Sequence, residues 1–165
     1  MLQFTRRVLA FLKIANWVVG IALILPFAVF GFLMPGREVA KIGKAYPELN
    51  PSGIITFVGI TLVMLPVAIV LVHLIFRALL EMIDTIPQNQ VFTYANADRL
   101  RRIAWALLGF CIVDYVYGFT SQFYVSSLAQ WNPTLFGWLV SLLLFVLASV
   151  WKQGVEMREE LEGTV

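Results

Sequence analysis

Asp114 stands inside the apolar run Ile103 to Val125, 11 residues from its start. On a helix that is about 16 Å, close to the midplane of a bilayer. An ionised carboxylate at that depth is costly, so the side chain must face other helices, hold a proton or have a partner. Two roles fit. Asp114 is either a proton or cation site, with Tyr117, Ser121 and Gln122 further along the same helix, or a hydrogen-bonded residue that sets helix register. The lack of a basic residue at the same depth favours the second.

His73 lies one helical turn before Arg77, near the end of another apolar run. It is either a pH-responsive group, since an imidazole titrates near neutrality, or a hydrogen-bonding side chain at a membrane interface, which is the commoner case. Its depth differs from that of Asp114 by about 10 Å on straight helices, so the two are not expected to pair. With one His and one Cys, Cys111, in the chain, neither a His-cluster metal site nor an internal disulfide is expected. No nucleophile–base set, phosphate-binding loop, dinucleotide fingerprint or zinc-protease motif occurs. Catalytic, cofactor and metal residues are therefore expected to be none.

Two charged stretches remain. Arg99, Arg101 and Arg102 form the densest positive cluster, suited to topology anchoring, to lipid phosphate or to an acidic partner. The end of the chain, from Lys152 to Val165, is acidic and carries an apolar stripe of Val150, Gly154, Met157 and Leu161 at spacings of four, three and four. That stripe is expected to pack on Leu79, Met82 and Ile83. Met157, Glu159, Glu160 and Leu161 are the alternative contact set for an amphipathic segment of another protein.

What positions these residues is a set of membrane-length helices. A hydrophobic content of 60% with only 13% charged residues excludes an ordinary soluble domain. The apolar residues fall into four blocks near the roughly 20 residues needed to cross a bilayer. The spans are expected at about 14–34, 53–76, 103–125 and 134–151, within one domain over 1–165. Pro26 and Pro66 lie inside the first two, where neighbouring helices tolerate them. The first block is too long, and its flank too poor in small residues, for a cleaved leader. Between the first two spans, residues 38–45 are expected to form a short surface helix. The stretch 77–102 reads as a helical hairpin broken at Pro87, with Thr93 as N-cap of the next helix. Asn132-Pro133 reads as an N-cap followed by a first-turn proline, and Trp131 and Trp151 are spaced like two interfacial aromatic belts. The fold class is thus all-α: a polytopic bundle of four transmembrane helices with cytoplasmic helical extensions.

Charge orients this topology. With the amino terminus inside, Arg6, Arg7, Lys13, Arg77, Arg99, Arg101, Arg102, Lys152 and Arg158 all lie inside. Only Arg37, Lys41 and Lys44 lie outside, so both termini are expected in the cytoplasm. The net charge of +2 is small and gives no reason to expect direct nucleic-acid binding.

Two regions carry a family resemblance. One comprises Leu74-Ile75-Phe76-Arg77-Ala78-Leu79-Leu80, Gln90-Val91-Phe92-Thr93 and Asn96-Ala97-Asp98-Arg99-Leu100-Arg101-Arg102-Ile103-Ala104. The other is the ending from Gly154 to Val165. Together they resemble the bacterial inner-membrane family known as domain of unknown function 2975, with Val91-Phe92 in place of the usual Pro-Phe at the turn. The resemblance implies four spans, residence in the bacterial cytoplasmic membrane and no catalytic residues. Its members are often encoded beside a small helix-turn-helix regulator, which implies a non-enzymatic module that binds or restrains that regulator. The alternative is a small proton- or ion-linked transporter using Asp114, opposed by the short chain and the lack of an inverted repeat, though a homo-oligomer would supply a pathway.

Overall fold

The computed structural model describes residues 2–33, 36–45, 51–88, 91–124 and 135–163. These residues form helices α1 (Leu2–Leu33), α2 (Gly36–Ala45), α3 (Pro51–Ile83), α4 (Tyr94–Tyr124) and α5 (Phe136–Glu162), with a 3₁₀ turn at Ile86–Gln88 and no strand. Four of the helices are long and apolar enough to cross a membrane: Leu2–Leu33, Gly53–Ile83, Tyr94–Gln122 and Phe136–Leu161. All-α architecture with four candidate spans is as expected. Each helix overruns its apolar block: α3, with 33 residues, is about 50 Å long against a hydrocarbon core of about 30 Å. Its polar end, from Arg77 onward, therefore lies beyond the apolar span.

Local sequence explains the helix ends. α3 opens on Pro51, whose missing N–H is not needed in a first turn. It stops at Ile83, where the Thr85 hydroxyl donates to the Met82 carbonyl at 2.7 Å and Pro87 follows. Thr93 caps α4 as expected, its hydroxyl accepting the Asn96 N–H at 3.4 Å. The surface helix foreseen over 38–45 is α2. The foreseen cap at Asn132-Pro133 and the interfacial Trp131 lie outside the described residues. Among the described residues α5 runs from Phe136, with Leu135 before it and no side-chain cap there.

By its contacts the chain groups into two compact units, residues 1–15, 71–110 and 135–165, and residues 16–70 and 111–134. In the first unit, α4 buries Ala97, Leu100, Ile103, Ala104 and Ala106, a stripe at helical spacing. Small residues let α5 approach α4 closely, and the Ser141 hydroxyl donates to the Ala104 carbonyl at 2.9 Å. Trp105 meets Phe145 edge-on, and Phe92 stacks on Trp151, both at 5.0 Å between ring centres. Gly109 faces Leu71 of α3, which a Cβ would meet at 3.4 Å.

In the second unit, Gly20 of α1 lets the helix come against Ile69 of α3, and Asn16 Nδ2 donates to the Ile69 carbonyl at 3.0 Å. Phe57 lies 5.5 Å from Tyr117, while Val58, Thr61, Cys111 and Ser121 are buried.

The tail departs from expectation. α5 does continue to Glu162, but Val150, Met157 and Leu161 are exposed, and the inward residues are Ser141, Ala148 and Val155. The rotation of α5 is set by the small-residue approach at Ser141 and by the Phe92–Trp151 stack. A seven-residue step from Ser141 through Ala148 arrives at Val155, 3% exposed, and carries Met157 and Leu161 outward.

Candidate functional site

The charged end of the first unit is organised by a residue that sequence reasoning passed over. Asn96, in the first turn of α4, is 1% exposed. Its Nδ2 donates to Thr85 Oγ1 at 2.9 Å and to the Val91 carbonyl at 2.8 Å, and its Oδ1 accepts from Arg99 Nη1 at 2.6 Å. One amide thus ties the end of α3, the connecting turn and the start of α4 together. Its only signal in the sequence is an Asn three residues after a Thr cap, which is too common to stand out.

Arg99 also reaches Glu81 Oε2 at 3.4 Å, where Arg102 approaches to 3.9 Å, while Arg77 donates to Glu81 Oε1 at 2.9 Å. The hydrogen bond from Arg77 holds the Glu81 carboxyl below its ordinary value of 4.5; desolvation opposes this, and Arg99 and Arg102 add to it. Three guanidinium groups therefore converge on a single carboxylate.

The expected arginine cluster is divided by this arrangement. Arg99 is largely withdrawn into the hairpin, Arg102 lines a cavity together with Arg77 from the facing helix, and Arg101 is exposed. Sequence adjacency placed them together, but successive helical residues point about 100° apart. Glu159 of the tail accepts from the Tyr94 hydroxyl at 3.2 Å. Glu160 is exposed, as are Met157 at 59% and Leu161 at 72%. These four candidate residues do share one helix, two of them as an outward apolar pair one turn apart. At the same charged end, Arg6 near the start of α1 pairs with Asp84 just after α3 at 3.1 Å.

His73 is half-buried on α3 and has an interaction partner. Asp114 lies on α4. It shares an arc of α4 with Ser121, since seven residues return the helix to within about 20°, and Ser121 is buried. Asp114 itself is exposed rather than enclosed between helices. Its neighbours on that arc, Gly118 and Ser121, are too short to cover it, and the Ser121 hydroxyl turns back to the Gly118 carbonyl at 2.8 Å.

The apolar windows of the four long helices are only 6%, 17%, 28% and 17% buried, so most of their apolar surface faces outward. Such surface is stable against lipid and not against water. The chain is a multi-pass helical membrane protein in contact with the lipid bilayer. It belongs to the family described as Protein of unknown function (DUF2975), whose model matches residues 38–165. No curated protein and no solved structure matches the chain.

Proposed function

We propose that this protein is a non-enzymatic membrane module of the bacterial inner membrane, with both termini in the cytoplasm, that binds or restrains a cytoplasmic helix-turn-helix regulator. The orientation follows from the nine basic residues assigned to the inner side against three outside. The observation that carries the reading is the outward pair Met157 and Leu161 on the polar end of α5, with the exposed Glu160 beside it and Glu159 bound to Tyr94 on the opposite face. An apolar pair one helical turn apart with an acid beside it suits an amphipathic segment of a partner protein. The opposite face of the same helix end is anchored through Val155 and the Tyr94–Glu159 hydrogen bond, so the pair is presented on a held element.

The test is co-purification in detergent with the purified regulator encoded beside this protein. Replacing Met157 and Leu161 together with Ser removes exposed apolar surface and should leave folding unchanged within about 0.5 kcal/mol. It should abolish the complex, whereas Asp114→Asn should leave it intact. Undiminished binding by the Ser variant, or loss of binding in Asp114→Asn alone, would reject the proposal.

A further inference from the structure

The spacing Leu71, Leu74, Arg77 and Glu81 puts two leucines, a cation and an acid along one face of α3. On α4, Arg102 and Trp105 are three residues apart and share a face. The two faces meet around a cavity of about 370 Å³, within the usual range for small-ligand sites. Ala78 and Ala106 leave the room, because neither fills the space between the helices.

The cavity has a polar end and an apolar end. α3 and α4 run in opposite chain directions, so Arg77 and Glu81 lie toward the hairpin on one wall and Arg102 does so on the other. Leu71, Leu74 and Trp105 lie toward the apolar span. The Arg77 and Arg102 side chains are 62% and 61% exposed, and each therefore keeps donors for another acceptor. Glu81 neutralises one charge of the three arginines around it, leaving a positive surplus at the mouth.

We infer that this groove is a binding site for an anionic phospholipid. The headgroup phosphate sits at Arg77 and Arg102, and an acyl chain lies along Leu71, Leu74 and Trp105. Guanidinium groups bind phosphate oxygens through charge-assisted hydrogen bonds, and basic pockets between membrane helices at the headgroup level are suited to anionic lipids. A soluble phosphate would use only the mouth. The apolar wall continuous with the span selects a ligand that brings its own hydrocarbon, and the charge surplus selects an anionic headgroup over a zwitterionic one. The inference is independent of the regulator reading, since it uses neither Met157 nor Leu161.

The protein in detergent is titrated with phosphatidylglycerol and with phosphatidylcholine, and bound lipid is counted by native mass spectrometry. Phosphatidylglycerol should be preferred. The double variant Arg77→Gln with Arg102→Gln should weaken it about thirty-fold and erase the preference. Arg7→Gln with Arg101→Gln removes the same charge outside the groove and should change affinity less than threefold. Equal loss in both variants would reduce the effect to general surface charge and overturn the site. So would retention of the preference in the Arg77/Arg102 variant, or displacement of the lipid by millimolar inorganic phosphate. Should the groove variant not fold, a photoactivatable phosphatidylglycerol on the unaltered protein decides the matter: labelling must fall within residues 71–81 and 102–106, and labelling elsewhere overturns the proposal.

Discussion

Replacing Asn96 with Ala tests whether one buried amide holds the hairpin together. The change removes at least two donated bonds and one accepted bond at a position 1% exposed. Thr85 still donates to the Met82 carbonyl, Arg99 still reaches Glu81, and the Val91 carbonyl keeps the Thr93 N–H at 3.2 Å, so the loss is of the bonds themselves. The two neutral bonds contribute about 0.5–1 kcal/mol each, and the bond to the charged Arg99 about 1–2 kcal/mol. A total of about 2–4 kcal/mol should open the start of α4 locally, before the spans separate. Amide hydrogen exchange reads this directly: protection over residues 91–97 should fall by about 30- to 700-fold, since each 1.4 kcal/mol is tenfold. Asn96→Asp keeps an oxygen for Arg99 but sets a carboxylate oxygen against the Val91 carbonyl, so it should fail nearly as badly. Exchange within threefold of the parent protein in either variant would refute the reasoning.

Two further outcomes follow from other contacts. Because Glu81 is held below its ordinary value, its stabilising contribution is present above pH 4.5 and is lost as pH falls through the lowered folded-state value. The stability advantage of the parent protein over Glu81→Gln, followed by thermal unfolding in detergent, should therefore shrink below pH 4.5; a constant gap would contradict the assigned ion pairs. At Gly20, an added Cβ would come within 2.5 Å of Ile69 Cδ1 and 2.9 Å of its Cγ1, both on a buried β-branched side chain. Gly20→Ala should thus cost about 1 kcal/mol and Gly20→Val up to about 3 kcal/mol. Ile69→Ala should recover part of the Gly20→Val loss in a double-mutant cycle, and strict additivity would count against close packing there.

The number of spans, their approximate places and several helix ends were legible in the residues alone. Apolar length is a one-dimensional property: a block of about 20 residues must cross a bilayer core whatever it packs against. Thr93 as a cap, Pro87 as a breaker and the continuation of α5 into the acidic tail are likewise local matters, decided by backbone donors and acceptors within a few residues. Family membership was legible for the same reason, resting on short runs of side chains at the hairpin and the tail.

Rotation about each helix axis was not legible, and the candidate sites depend on it. Val150, Gly154, Met157 and Leu161 have the spacing of a buried stripe, yet Val155 faces inward because Ser141 meets Ala104 and Trp151 meets Phe92. In a chain this apolar nearly every face of a span looks fit for burial, so periodicity does not discriminate. Small residues and single hydrogen bonds choose the face instead. The same choice turns Arg99 and Arg102 to Glu81 and Arg101 away from it, leaves Asp114 exposed beside buried Ser121, and makes Asn96 the fastening of the hairpin. Each outcome depends on which residues of a second helix arrive opposite, and that arrangement exists only once the helices have packed.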